Sequence, residues 1–150
     1  MPPHLAREHY HYPYPLDIAK ITKAACLFEG EHDFASFAAK CGQDGASKSE
    51  SAPPRNTRRR IFQCEVKRRG SRLLFTVEGN GFLQHMVRNM AGTLLEIGGG
   101  RMSPGELENL FEKRDRRLAG FAAPAHGLIL LKVRYPQARR MAANLAKLHE

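Results

Sequence analysis

The chain has 150 residues and a formal net charge of +9, from 24 Lys and Arg against 15 Asp and Glu. This length suits one domain, and a hydrophobic share of 42% is enough for a core, which excludes wholesale disorder. The excess of positive charge favours a polyanionic partner, most simply a nucleic acid.

The cysteines and the ends of the chain indicate the compartment. Cys26, Cys41 and Cys64 form no C-x-x-C pair, so reduced thiols are expected and not a disulfide frame or a zinc site. Cys26 and Cys64 lie in apolar patterns and are predicted to pack in the interior. No signal peptide and no run of membrane-spanning length is present, which predicts a soluble cytoplasmic protein without membrane contact.

The first third of the chain predicts one helix between irregular segments. Residues 1–15 are rich in Pro, His and Tyr and predict an extended lead-in. Residues 16–28 repeat apolar side chains at steps of three and four, which predicts an amphipathic helix with Asp17 in its first turn. Residues 31–38 predict a short loop or single turn with two aromatic side chains to bury. Residues 41–56 lack periodicity and predict a mobile surface loop.

Two alternating segments predict an antiparallel hairpin. Residues 58–68 and 73–78 alternate apolar and polar side chains on either side of a short turn at 69–71. The side chains predicted to face the core are Phe62, Cys64 and Val66 in the first strand and Leu73, Phe75 and Val77 in the second.

Basic residues are concentrated in the first of these strands. Seven Arg and Lys residues lie between positions 55 and 69, and they could neutralise several phosphates of a nucleic acid. Charges of this kind also protect exposed sheet edges from pairing with other chains. The pattern leaves both interpretations open.

A turn followed by a helix is the most informative segment. Residues 79–81 are Gly-Asn-Gly, which tolerates a tight turn, and residues 82–97 predict the strongest helix, ended by three glycines at 98–100. Arg88 lies off the apolar stripe of this helix. It could hold a phosphate in a fork of two hydrogen bonds, or it could lie on a solvated helix face.

The last third predicts a second helix, then a strand. Ser103 as the cap, with Glu106 three residues later, predicts a helix to about Lys113. Residues 114–127 should be irregular, and residues 128–135 are apolar on both faces, which predicts a central strand. Residues 137–150 predict a weak basic helix or a disordered tail.

The element order predicts an α+β domain at 16–136, with helices packed on one face of an antiparallel sheet. Its second face would be open, and strands could be missing from this chain. Candidate catalytic groups are few. His85 and His126 are each predicted to be structural or to contact a phosphate, and Asp33 to cap a turn. The residues alone name no reaction.

Four motifs occur in order: GEHDFASF at 30–37, TRRRI at 57–61, EGNGFLQHMVRNMAGTL at 78–94 and APAHGLIL at 123–130. Together they closely resemble the C-terminal half of the tRNA pseudouridine synthase A family. The resemblance implies isomerisation of uridine to pseudouridine in the anticodon stem-loop of tRNA, with no metal or organic cofactor. In the family an aspartate attacks the uridine, and the base is detached, rotated and rejoined through carbon. The target base is flipped out of its stack.

The resemblance also implies residue roles. Arg88 matches the active-site arginine, which pairs with the catalytic aspartate and helps to hold the flipped nucleotide. Leu128 and Leu130 match a strand that packs beneath the uridine, and Arg59 is a candidate substrate contact in the second motif. The positions that match other neighbours lining the site are Asn80, Phe82, His85 and Asn89.

One departure from the family pattern is decisive. The catalytic aspartate lies in a Gly-Arg-Thr-Asp-Ala-Gly stretch of the family's N-terminal half, and these 150 residues contain no such stretch. The family's base-stacking tyrosine precedes this sequence, so its role is not transferred to Tyr10, Tyr12 or Tyr14. We therefore expect a C-terminal fragment that is inactive alone and acts with an N-terminal half or as a homodimer. The alternative is a stand-alone RNA-binding module.

Overall fold

The computed structural model describes residues 7–39 and 56–135. The helices are α1 (Ile18–Cys26), α2 (Met86–Gly98) and α3 (Pro104–Lys113), and the strands are β1 (Gly30–Asp33), β2 (Arg58–Arg69) and β3 (Arg72–Gly79). Single turns of 3₁₀ helix occupy Ala35–Phe37, Arg116–Leu118 and Ala125–Gly127. This is the α+β architecture that the sequence predicts. In the described part of the chain, no helix combines the length and apolar character needed to span a bilayer.

The strands form one antiparallel sheet in the order β1-β2-β3. The hairpin of β2 and β3 was predicted, but β1 was not, since residues 31–38 were expected to form only a loop or turn. β1 has four mostly polar residues without clear alternation, and it is a strand because it pairs with the start of β2, where His32 lies opposite Arg59. The two aromatic side chains that follow, Phe34 and Phe37, are fully buried as predicted.

A β-bulge changes which side chains of β2 face the core. The pairing with β3 shifts between Ile61 and Gln63, which leaves Phe62 as the extra residue. Because an inserted residue reverses the alternation, Ile61 is buried while Phe62 is 55% exposed, so the prediction for Phe62 was wrong. Beyond the bulge, Cys64 and Val66 face the core as expected.

The core lies between the helices and one face of the sheet. α1 contacts both β2 and α2, and α3 contacts α1 and β1. On β3, Leu73 and Phe75 pack against the core as predicted, while Leu74 on the opposite face is 45% exposed. The buried apolar side chains that form the core are Ile21, Ala24, Ala25, Phe28, Phe34, Phe37, Ile61, Cys64, Met86, Met90, Leu94, Ile97, Leu107 and Leu110.

Helix ends follow local chemistry. Asp17 caps α1 by accepting a hydrogen bond from the Lys20 amide, and this bond lowers the pKa of the Asp17 carboxyl. At α3 the Ser103 amide donates to the Glu106 carboxylate at 2.5 Å, which confirms the predicted cap. α2 begins at Met86 and not at residue 82, because His85 has a left-handed conformation with φ of 60° that ends the preceding turn.

The apolar segment (residues 128–135) was predicted to be a central strand, and that prediction was wrong. It has no strand assignment, and its six large apolar side chains are between 50% and 81% exposed. The described residues place no paired strand beside it. Near its end, Arg134 forms a 2.8 Å ion pair with Glu78 of β3. The predicted loop up to residue 55, Cys41 and the predicted tail at 137–150 lie outside the described residues.

The crossing segment (residues 116–123) lies against α2 at a contact that requires glycine. A Cβ atom on Gly92 would lie 1.6 Å from the Phe121 carbonyl oxygen, and one on Gly120 would lie 2.6 Å from Cα of Thr93. The Gly120 amide donates to Oγ1 of Thr93 at 2.9 Å. Two glycines therefore let the backbone of the crossing segment approach the helix backbone directly.

We predict that Gly92→Ala destabilises the protein by about 2 kcal/mol, because the crossing segment must move away from α2. Thermal unfolding followed by circular dichroism should show the melting temperature fall by about 5 °C or more. Gly105→Ala in α3 is the matched control. A Cβ there meets nothing within 4 Å, so better helix propensity should raise stability slightly. Similar effects of both substitutions would contradict the close contact at Gly92.

The two described cysteines should differ sharply in reactivity. Burial, with the nearby Glu29 charge, raises the pKa of Cys64 to about 12, so its reactive thiolate is scarce at pH 8. Cys26 is exposed, so the predicted packing role was wrong. It lies outside the buried face of α1, which contains Ile21 and Ala25. Iodoacetamide with peptide mass spectrometry should modify Cys26 in the native protein and Cys64 only after denaturation. Equal labelling rates would contradict this.

Candidate nucleic-acid site around Arg88

The turn between β3 and α2 places the site. A Cβ on Gly79 would lie 2.9 Å from the Arg60 carbonyl oxygen, so only glycine allows this approach. The backbone N–H of Asn80 donates a hydrogen bond to that oxygen at 3.0 Å. The side-chain Oδ1 of Asn80 accepts one from the backbone N–H of Arg60, also at 3.0 Å. Oδ1 of Asn80 thus fastens the turn to β2, while the predicted role of this exposed residue in lining a site stays a prediction.

Arg88 lies in the first turn of α2, three residues after exposed His85, and is fixed by one partner. Its Nε donates to the Ala123 carbonyl oxygen at 2.6 Å, and the Ala123 amide donates to the Arg88 carbonyl oxygen at 3.0 Å. The side chain is half-buried, and within residues 7–39 and 56–135 its Nη groups donate to no protein acceptor. One edge of the guanidinium is therefore fixed while its other donors can bind a carboxylate or phosphate.

A buried network beneath Arg88 holds the crossing segment in place. Asn89 is 1% exposed, its Nδ2 donates to the Phe37 carbonyl oxygen at 2.6 Å, and its Oδ1 accepts Nη2 of Arg116 at 2.8 Å. Nη1 of Arg116 donates to the Gly120 carbonyl oxygen at 2.9 Å. Asn89, predicted to line the site, thus lies under it and bridges three parts of the chain.

Sequence reasoning missed Arg116. It follows α3 as one arginine of an Arg-Arg pair, and nothing local distinguishes it from exposed Arg117. Only the fold brings it within hydrogen-bond distance of Asn89, which lies 27 residues earlier. Burial lowers the pKa of Arg116 because the charged form loses solvent, but an arginine stays charged at any working pH.

Arg59 and Phe82 lie at the same turn as Asn80. Nη1 of Arg59 donates to the carbonyl oxygens of Asn56 and Arg58 at 2.8 and 2.7 Å, and the side chain runs beside Gly81. Phe82 is 41% exposed. An exposed aromatic ring next to guanidinium groups is the combination that binds unpaired nucleotides.

Leu128 and Leu130 are not brought into a site by the described structure. Their side chains are 50% and 78% exposed on the apolar segment, and the described residues place no strand beside them. Their predicted place beneath a substrate stays a prediction.

The Asp33 carboxylate, at the end of β1, has structural partners. Oδ1 of Asp33 accepts the Ala35 amide at 3.0 Å and the Thr57 hydroxyl at 2.6 Å, and its Oδ2 pairs with Nε of Arg114 at 2.9 Å. Asp33 therefore caps a turn, as predicted. Across the described ranges, no three His, Cys, Asp or Glu side chains cluster in a way that could hold a metal ion.

The surface charge along β2 is strongly positive. Its exposed cations are Arg58, Arg60, Lys67, Arg68 and Arg69. Arg58 pairs with Glu31 at 3.2 Å and Lys67 with Glu65 at 2.9 Å, but both pairs are solvent-exposed and neutralise the local field only partly. These cations, here called the basic track, lie at the two ends of the strand, with Arg58 and Arg60 near the Asn80 turn and none at residues 61–66.

Comparison with known proteins agrees with this chemistry. A sequence model of the family described as tRNA pseudouridine synthase matches residues 24–136. The tRNA pseudouridine synthase A of Exiguobacterium sibiricum is 38% identical over 128 residues, which cover 85% of this chain and 47% of that protein. The protein of the same name from Solibacter usitatus is 43% identical over 126 residues, covering 84% and 47%. That from Streptococcus pneumoniae is 41% identical over 135 residues, covering 87% and 50%.

The chain spans about half the length of the curated relatives it matches. The family model covers most of the chain, including the Asn80 turn, α2 and the crossing segment. On this evidence the chain belongs to the tRNA pseudouridine synthase family.

Proposed function

We propose that this chain is the C-terminal part of a cytoplasmic enzyme that isomerises uridine to pseudouridine in the anticodon stem-loop of tRNA. The observation that carries the proposal is Arg88, whose Nε is fixed by Ala123 while its Nη groups stay available, eight residues after Asn80, whose turn is bonded to β2. A permanent cation held in this way suits a site that must keep a carboxylate and a phosphate close to a flipped nucleotide.

The proposed reaction forms a bond from an aspartate carboxylate oxygen to C1′ of the ribose and breaks the bond from C1′ to N1 of the uracil, which leaves with the electron pair. The uracil rotates, C5 attacks C1′ and displaces the aspartate carboxylate, the C5 proton passes to solvent, and N1 takes up a proton from solvent. In this scheme Arg88 pairs with the aspartate and orients it. Because these 150 residues contain no Gly-Arg-Thr-Asp-Ala-Gly stretch, we propose that further polypeptide supplies the aspartate and that this chain alone is inactive.

The apolar segment supports a missing partner. Leu130, Leu131 and Tyr135 are 78% to 81% exposed, and contiguous apolar surface of this kind usually marks an interaction site. Since the chain has about half the length of its relatives, we propose that the N-terminal half of the enzyme covers this segment. A homodimer of the whole enzyme remains part of the proposal for tRNA binding.

The first test joins this chain to an N-terminal half that carries the Gly-Arg-Thr-Asp-Ala-Gly stretch. Release of tritium from tRNA labelled at uridine C5 should be detected with the joined protein and not with the 150-residue chain. Arg88→Ala should reduce the rate by about 1000-fold, because an electrostatic contact made at the reacting centre is lost. The dissociation constant for tRNA should rise less than about tenfold, since most affinity comes from other phosphate contacts.

The matched control is Lys23→Ala, which removes one exposed positive charge near the end of α1. It should leave turnover close to the wild-type rate. Wild-type turnover in Arg88→Ala would refute the assignment of Arg88. Turnover by the isolated 150 residues would refute the proposed division of the active site.

A second test measures the salt dependence of tRNA binding by the 150-residue chain. If about four phosphates are contacted, affinity should fall roughly 100-fold between about 50 and 200 mM salt, because bound counterions are released. Fluorescence anisotropy of labelled tRNA measures this slope. Binding that is unchanged over this range would contradict the basic track as the RNA-binding surface. Salt-dependent binding without turnover in the joined protein would favour the RNA-binding module instead.

A further inference from the structure

We infer that the chain has a second RNA contact, a pocket that stacks one unpaired nucleotide between the lead-in and the tip of the β2–β3 hairpin. The inference rests on the proposed function only in taking RNA as the ligand. The aromatic part is formed by Tyr12 and Tyr14 of the tyrosine row (Tyr10, Tyr12 and Tyr14), and the basic part is Arg68 and Arg72.

The pocket is small, open and mixed in character. Its volume is about 280 Å³, and Tyr12, Tyr14, Arg68, Ser71 and Arg72 are among the residues that line it. No acidic side chain is among its described lining residues. A space of this size suits a single planar group better than a whole cofactor.

The tyrosine row is preorganised for stacking. The rings of Tyr12 and Tyr14 lie 5.4 Å apart at 72°, and those of Tyr10 and Tyr12 lie 6.2 Å apart at 64°. The ring contacts place the three side chains in one row along the lead-in, which bends at Tyr14 before α1 begins. The Tyr12 hydroxyl accepts a 2.8 Å hydrogen bond from Nη2 of Arg101, while Tyr14 is 63% exposed. Tyr12 is thus anchored and Tyr14 presents an open ring.

The hairpin tip supplies the phosphate-binding groups. Arg68 and Arg72 flank the tip and are both exposed. Nε of Arg68 donates to the Gly70 carbonyl oxygen at 2.9 Å, which holds the side chain across the turn. Gly70 has a φ of +61°, the left-handed conformation that lets the turn close tightly. In such an arrangement the aromatic ring stacks on an unpaired base, and the neighbouring cations attract the phosphate of the same nucleotide.

This pocket is separate from the site around Arg88. Arg68 lies near one end of β2, while Arg60, which is bonded to Asn80, lies near the other. Eight residues of extended strand span about 25 Å, so one nucleotide cannot contact both sites. A folded RNA that reaches both ends gains affinity because the second contact forms within an existing complex.

The probe for the test is an eight-nucleotide oligouridylate with a fluorescent label, and a duplex RNA of equal charge is its counterpart. Tyr14→Ala should weaken oligouridylate binding by about fivefold or more, because one stacking face is removed. Tyr14→Phe keeps the ring and should bind within about twofold of wild type. Duplex binding should change less than about twofold in both variants, since paired bases cannot enter the pocket.

A charge-matched pair tests the basic side. Arg72→Gln should weaken oligouridylate binding more than Lys23→Gln, because Lys23 is an exposed cation of α1 that neither lines the pocket nor belongs to the basic track. Tyrosine fluorescence gives an independent signal. The chain has no tryptophan and four tyrosines, three of them in the tyrosine row, so oligouridylate should quench the emission of the wild-type protein. The quenching should be smaller in Tyr14→Ala.

Three outcomes would overturn the inference. Equal oligouridylate binding by wild type and Tyr14→Ala excludes stacking there, and equal loss in Tyr14→Ala and Tyr14→Phe attributes the effect to the hydroxyl group. Dependence on Arg72 without dependence on Tyr14 indicates an anion site only. Circular dichroism of each variant confirms its fold. Loss of turnover in the joined enzyme bears on the proposed function, whereas these binding results bear on the pocket alone.

Discussion

The candidate site depends on the contact between α2 and the crossing segment. Gly92 and Gly120 let two backbones approach so closely that Ala123 bonds both the main chain and the side chain of Arg88. A bulky residue at either glycine would separate them and release the guanidinium. Arg116 reinforces the same contact from beneath by joining Asn89 to Gly120. The orientation of the Arg88 guanidinium is thus set by this packing contact and not by the residues next to Arg88 in the sequence.

How far the sequence predicts the fold depends on whether the deciding interaction is local. The cap at Ser103, the glycines that end α2 and the alternation of β3 depend on neighbours a few residues away, and the structure confirms them. β1 and the exposure of Phe62 depend on pairing with distant residues and on a bulge. Periodicity within one segment contains no information about either.

The same distinction applies to the candidate site. The family motif brings attention to Arg88, Asn80 and Asn89, and all three lie at or directly beneath the Asn80 turn and the start of α2. Position alone does not give their hydrogen-bond partners, which lie 20 to 52 residues away in the sequence, and their predicted roles toward a substrate stay predictions. Arg116 could not be predicted at all, since its burial arises only when the crossing segment folds onto α2.

In the apolar segment, the sequence pattern predicts burial, but the described part of this 150-residue chain does not cover it. A run of Leu, Ile and Val with apolar side chains on both faces is typical of a strand buried in a sheet. Here Leu128 to Leu131 are 50% to 79% exposed. The apolar sequence of the segment reflects the environment in which it functions. Its exposed fraction reflects only the residues of this chain that pack near it. Since the relatives are about twice as long, we take the disagreement to mark where the proposed N-terminal half would pack, on the apolar segment that follows Ala123, the residue fixing Arg88.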